Sequence, residues 1–298
     1  MISKTVIVQL PQLPQTALKK IQYLSRDQVK VFEKADAEFE ASARDSEVIL
    51  TNFSVPFTSE FLKTCSNLRY IGVYGTAVHN IDLVTATALG ISVSRVTHYC
   101  DDETAELMFT ELLLMARGIG KLAWKDEPRT LRKKSIGIIG MGGVGRAFAQ
   151  LADAHGMNVM YYSPKPIFDP NFSKFHYVSK SDLLEKAEVI ALHVSPNALA
   201  LARTDFDKVR DGTILMNSCQ GRMWNHGDLV DWLQCSENRL ILDGFAFSQQ
   251  TECEQKHLQS FSNVRVSPVW AYLTKESLQK ISDIFIEQLQ DFVKNKLS

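Results

Sequence analysis

The sequence predicts an α/β protein built on parallel sheets, and three observations carry that prediction. Short β-branched runs alternate with helical patterns from the first residues onward, which is the signature of βαβ units. A second series of six strand-like runs follows residue 135, the count of a doubly wound nucleotide-binding domain. At 298 residues, 45% hydrophobic and 22% charged, the chain has the composition of a protein that buries a core, and room for two ordinary domains or one large one.

Taken in order, the first strand-like segments are Thr5–Leu10, Glu47–Thr51, Tyr70–Tyr74 and Ile91–Val96, with helices expected near 15–25, 57–65 and 82–88. A longer helix is predicted over Asp101–Arg117, with Leu107, Leu112 and Leu113 among its apolar positions. Asp101 and Asp102 suit the positive end of its dipole. The stretch Gly118–Lys134, charged and containing Pro128, reads as a connection, and Arg132, Lys133 and Lys134 read as solvated. The second series comprises Ser135–Ile139, Asn158–Tyr162, Val189–His193, Gly212–Asn217, Leu240–Asp243 and Val264–Val266, and a last helix runs from Lys275 to Lys296.

Charge and cysteine usage narrow the function classes. A net charge of −1 gives no global field toward nucleic acid or acidic membranes, so a small-molecule ligand is expected. The five cysteines, Cys65, Cys100, Cys219, Cys235 and Cys253, lack CxxC or CxH spacing, which argues against a disulfide framework and a bound metal. The N-terminus carries no signal-peptide h-region and no run approaches the ~20 apolar residues of a membrane helix, so a cytoplasmic setting is expected.

The strongest local signal is GxGxxG at Gly140, Gly142 and Gly145, directly after an apolar strand and before a helical pattern. The first glycine permits the tight turn, the second lets backbone approach a pyrophosphate, and the third lets strand and helix pack closely. Gly143 and Val144 complete the turn, whose helix start offers amides and a positive dipole. At the end of the second strand an NAD site usually carries a carboxylate for the ribose 2′-hydroxyl. Here the residues are Tyr162-Ser163-Pro164-Lys165, where Ser163 can donate and Lys165 supplies a cation, so NADP(H) is preferred over NAD(H).

Several blocks together resemble the D-2-hydroxyacid dehydrogenase family, which includes phosphoglycerate dehydrogenase, glyoxylate/hydroxypyruvate reductases and the CtBP co-repressors. They are LRYIGVYGTAVHNID at Leu68–Asp82, VTHYCDDETAE at Val96–Glu106, the glycine turn, GTILMNSCQG at Gly212–Gly221, LDGF at Leu242–Phe245 and NVRVSPV at Asn263–Val269. The resemblance implies a flavodoxin-like substrate domain (1–100 and 272–298) and a Rossmann-type cofactor domain (101–271) that includes an interdomain helix, 101–118. A ligand or substrate would sit in the cleft between them. It implies that amides around Thr76 and Ala77 hold the substrate's acid group, with His79, His98 and Tyr99 on neighbouring loops. On the cofactor side it implies contacts from His193, Val194 and Ser195, from Ser218 and Cys219, and from Asp243.

The family's chemistry needs an arginine on the substrate carboxylate, a histidine that moves the hydroxyl proton, and a carboxylate that orients the histidine. The resemblance puts Gln220, Val269 and Ser248, respectively, at those three positions. A positioned acid or base is worth roughly 10²–10⁴ in rate and a charge-stabilising donor roughly 10²–10³; valine moves no proton, and an amide is no bidentate guanidinium. Three readings stay open: an oxidoreductase rebuilt around His79, His98, Tyr99 or Tyr74, a non-catalytic cofactor sensor or scaffold of CtBP kind, and a structural remnant. The connection at 118–134 is shorter than the family pattern in a region that often makes dimer contacts, which weakens the expectation of a homodimer.

Overall fold

The computed structural model describes residues 2–26, 28–120, 122–125, 127–196, 198–235 and 237–295. The chain divides into two compact units, one formed by Met1–Tyr99 with Lys275–Ser298 and the other by Cys100–Thr274.

The first unit runs β1 (Thr5–Val8), α1 (Gln15–Leu24), β2 (Val29–Phe32), α2 (Ala37–Arg44), β3 (Val48–Thr51), α3 (Ser59–Thr64), β4 (Tyr70–Val73), α4 (Leu83–Ala88) and β5 (Ser92–Arg95). Its strands are all parallel in the order β2-β1-β3-β4-β5, the flavodoxin-like arrangement. The central strands β1, β3 and β4 are buried throughout, as a sheet covered on both faces requires. Strand β2 and helix α2 are additions to the sequence expectation. The run Val-Lys-Val-Phe is short, carries a charge and is only half-buried at the sheet edge, so its period is faint. Asp36 caps α2 by accepting from the amides of Glu38 and Phe39.

The C-terminal helix, Lys275–Asn295, closes this unit with Ile281, Phe285, Ile286, Leu289 and Val293 buried. The expected end at Lys296 lies outside the described residues. Gly72 of β4 makes room for it: an added Cβ would stand 3.2 Å from the Phe285 ring. Tyr74 and Ser282 join their hydroxyls at 2.7 Å, and burial pushes the Tyr74 phenol above its usual range.

The second unit opens with α5 (Asp101–Arg117), which ends at Gly118 in the left-handed conformation, φ 65°. Then come β6 (Ser135–Ile139), α6 (Gly143–Ala154), β7 (Asn158–Tyr162), β8 (His176–Tyr177), α7 (Lys180–Lys186), β9 (Val189–Leu192), α8 (Arg203–Phe206) and β10 (Ile214–Asn217). The last elements are α9 (His226–Leu233), β11 (Arg239–Leu242), α10 (Gly244–Ser248), α11 (Glu252–Ser260) and β12 (Val264–Val266). The parallel sheet has the order β12-β11-β10-β9-β6-β7-β8. Counted from β6, this is the doubly wound order 3-2-1-4-5-6 with one further strand. The expected six strands are therefore seven, because β8 has only two exposed residues and shows no period.

The connection after α5 is less solvated than its charges suggest. Trp124 is buried and donates to Gly212 O at 3.2 Å, Leu131 is buried, and Lys134 pairs with Glu188 at 2.9 Å. Arg132 and Lys133 are exposed, as expected; Lys121 and Asp126 lie outside the described residues. Glu111 of α5, almost fully buried, forms an ion pair with Arg265 of β12. Among the described residues no helix is long and apolar enough to cross a membrane.

Candidate functional site

In an open doubly wound sheet, ligands bind beyond the carboxyl ends of the strands where the strand order reverses. In the second unit that switch point lies between β6 and β9, and the glycine turn leads from β6 into α6 there. Gly140 has φ 97°, and a Cβ on it would meet His193 O at 2.2 Å. A Cβ on Gly145 would stand 2.1 Å from Gly140 O, so strand, turn and helix close on one another as the motif requires. Gly142, by contrast, has nothing within 4 Å of its added Cβ. Open space at the second glycine and an amide-bearing helix start fit a dinucleotide pyrophosphate.

The ends of β9 and β10 form the neighbouring wall. Burial brings the His193 imidazole down to about 3, so it is neutral at physiological pH. Its Nδ1 lies 3.4 Å from Ser218 Oγ, its ring packs on Phe148, and its Nε2 is buried without a partner. The Cys219 thiol is turned inward: it donates to Leu192 O at 3.1 Å and accepts from Val194 N at 3.2 Å, and burial pushes it up to about 12. Its side chain therefore braces the loop, leaving only the backbone for a ligand. Ser195 is exposed. Beyond it, Gln220 has an amide nitrogen that is buried and unpartnered, a donor left waiting for an acceptor.

At the end of β7 the Ser163 hydroxyl donates to Lys165 O at 2.5 Å, and Lys165 is exposed. Arg146, one residue past the turn, pairs with Asp169 at 3.1 Å and lies over the Phe172 ring. The sequence reading passed over this pair because its partners are 23 residues apart. It also means that a carboxylate does stand in this loop, already neutralised by a guanidinium.

Asp243 is buried and accepts from Ala271 N at 2.9 Å. Burial raises its pKa, while the amides of Ala271, Ala246, Phe245 and Gly244 pull the other way. Its carboxyl thus ties the loop after β12 to the start of α10. The Ser248 hydroxyl donates to Phe245 O within its own helix, and Val269 is 52% exposed.

In the first unit, Thr76 uses its hydroxyl on Val96 O at 3.0 Å. Among the described residues the amides of Thr76 and Ala77 donate to no acceptor, while Gly75 before them is at φ 151°. His79 is exposed beside Phe53, His98 is exposed with φ 60°, and Tyr99 is buried. No group of three or more potential metal ligands occurs among the described residues.

The model of the family described as D-isomer specific 2-hydroxyacid dehydrogenase, NAD binding domain, matches residues 109–271, more than half of the chain. The chain belongs to the D-isomer specific 2-hydroxyacid dehydrogenase family. It is similar to a hydroxypyruvate reductase of Blautia hydrogenotrophica, 27% identical over 84% of this chain and 83% of the relative. A glyoxylate reductase of Thermococcus litoralis is 25% identical over 85% and 82% of the two chains. Among solved structures, a D-lactate dehydrogenase from Aquifex aeolicus, complexed with NAD and lactic acid, shares the fold with TM-score 0.82 and 23% identity. That match covers 99% of this chain and 96% of the other. An acyclic imino acid reductase in complex with NADPH and D-Arg matches with TM-score 0.83 and 21% identity, over 98% of each chain.

Within this family member, sequence reasoning missed two features of the turn. One is the Arg146–Asp169 pair. The other is Asp101, whose carboxylate packs on Gly143: a Cβ there would meet Asp101 Oδ2 at 1.7 Å. The extra glycine in Gly-Met-Gly-Gly, Gly143, was the available signal, since a glycine beyond the motif marks a place where something approaches closely.

Proposed function

We propose that this family member binds a nicotinamide dinucleotide at its glycine turn, NADP(H) in preference to NAD(H), and does not run the family's 2-hydroxyacid chemistry through the usual three positions. One observation carries the reading: Gln220, Ser248 and Val269 stand at those positions, and none of them exchanges a proton near neutrality or grips a carboxylate as a guanidinium does. The nearby titratable groups do not take over. His193, at about 3, holds no proton to give at pH 7, and Cys219, at about 12, releases none.

Bound nicotinamide would supply or accept a hydride. The chain's contribution is to hold it, through Gly140, Gly142, Gly143, Val144 and Gly145 at the pyrophosphate, Ser163 and Lys165 at the adenosine ribose, and His193, Val194, Ser195, Ser218, Cys219 and Asp243 toward the nicotinamide. The open amides of Thr76 and Ala77 in the first unit, and separately the unpartnered Gln220 nitrogen in the second, are each donors that favour an acceptor-bearing ligand over a remnant that binds nothing. Five cysteines, odd in number and without CxxC spacing, favour a reducing, cytoplasmic setting.

The test is a titration with NADPH and NADH followed by nicotinamide fluorescence, then a panel of 2-oxoacids with bound NADPH. Tighter NADPH binding without cofactor oxidation supports the proposal. Turnover that vanishes when His79, His98 or Tyr99 is replaced would establish the rebuilt enzyme instead. If neither dinucleotide binds at millimolar concentration, the cofactor reading fails.

A further inference from the structure

We propose that Asp101 is a resident anion of the dinucleotide turn, a carboxylate that the chain sets against the first residue of α6 and that weakens the hold on a cofactor's pyrophosphate. The inference rests on the dinucleotide reading above and concerns how that same site is tuned. A Cβ built on Gly143 would fall 1.7 Å from Asp101 Oδ2, 2.4 Å from Cγ and 2.9 Å from Oδ1, so the whole carboxylate fills the space of a missing side chain. Asp101 is the first residue of α5 and Gly143 the first of α6, so two positive helix ends meet around one negative charge.

The two helix starts differ in how they are served. The first turn of α5 carries Asp101, Asp102 and Glu103, whereas that of α6 carries no acidic residue, and its cap, Gly142, has no side chain. The dipole of α5 is satisfied by three carboxylates, but only Asp101 is set on Gly143. It gives α6 the anion that its own sequence lacks, at the end where a pyrophosphate would bring its negative charges. A carboxylate and a pyrophosphate charge sharing one helix end repel, at an effective dielectric between protein surface and water, enough to change affinity by about tenfold. The effect falls with salt, because the site faces solvent at Gly142.

The experiment uses the full chain and Asp101→Asn, which keeps the shape and removes the charge, with NADPH titrations at low and high salt. Adenosine, followed by NMR titration, is the control because it carries no phosphate. The expected result is about tenfold tighter NADPH binding in the variant at low salt, a smaller gain at high salt, and unchanged adenosine binding. Asp101→Ser, which also suits a helix start, removes the same charge and should shift NADPH binding the same way, which keeps the test alive should Asp101→Asn fold poorly. Equal or weaker NADPH binding in both variants overturns the inference and leaves the cofactor reading standing. A parallel shift in adenosine overturns it too, by showing a general structural effect. Binding by no variant and not by the wild type sinks both.

Discussion

Cys219→Ala would test whether the thiol at the end of β10 is a brace, as its geometry says. The substitution removes the acceptor for Val194 N, 3.2 Å away, and the donor to Leu192 O, 3.1 Å away, at a buried position. Leaving the half-buried Val194 N–H unpaired costs about 1 kcal/mol, and the sulfur's lost packing against its apolar neighbours adds about 1 kcal/mol, for about 2 kcal/mol in all. Cys219→Ser keeps a donor and an acceptor and should cost less than about 1 kcal/mol. All four tryptophans, Trp124, Trp224, Trp232 and Trp270, lie in the second unit, so urea unfolding followed by their fluorescence reports that unit alone. A companion measurement is alkylation at pH 8. Moving a thiol from 9.0 to about 12 lowers its thiolate fraction about 10³-fold, so Cys219 should label far more slowly than the exposed Cys253. The reasoning is refuted if alanine and serine cost the same, or if native Cys219 labels as fast as Cys253.

Replacing Gln220, Ser248 and Val269 together by Arg, Glu and His should raise NADPH-dependent reduction of small 2-oxoacids by at least about 10²-fold, since each role is worth that much or more; steady-state assays with the single variants as controls check it. Lys165→Ala should weaken NADPH by about tenfold and leave NADH nearly unchanged, read by parallel fluorescence titrations. Glu188 gives a pH prediction. Burial alone would raise its pKa, but Lys134 at 2.9 Å and the Ser135 amide at 3.0 Å outweigh it, and the carboxyl titrates below its usual range. A depressed folded pKa stabilises above the unfolded value and is lost as pH falls through the folded one, so Glu188→Gln should cost about 1 kcal/mol at pH 7. That cost should shrink as pH falls below the ordinary glutamate value of about 4.3, with urea midpoints as the measure.

The elements most legible in the sequence were those whose neighbours impose a clear period. Helix α5 has the expected bounds because an acidic start, a buried stripe and Gly118 mark both ends. The strands β6, β7 and β12 likewise keep their predicted limits. Strands β2 and β8 were missed because β8 has two residues, too few for a period, and β2 is a half-solvated four-residue run interrupted by Lys30. At the site, the motif glycines announced the turn, since backbone demands are written in single residues. The Asp101–Gly143 contact and the turned-in Cys219 thiol were not legible, because each joins side chains to backbone far along the chain, which no local pattern encodes.

The C-terminal helix that closes the first unit has a consequence for how the protein is made. Ile281, Phe285 and Leu289 complete a core whose sheet is finished by residue 95, yet about 175 residues of the other unit are synthesised in between. At roughly 5–20 residues per second, a ribosome spends about 10–35 s on that stretch. For that time β4 presents a face that nothing of its own covers, and the later unit can fold before the earlier one is whole. The newborn chain is therefore most exposed to aggregation through its N-terminal sheet, and a chain released before Lys275 would stay in that condition.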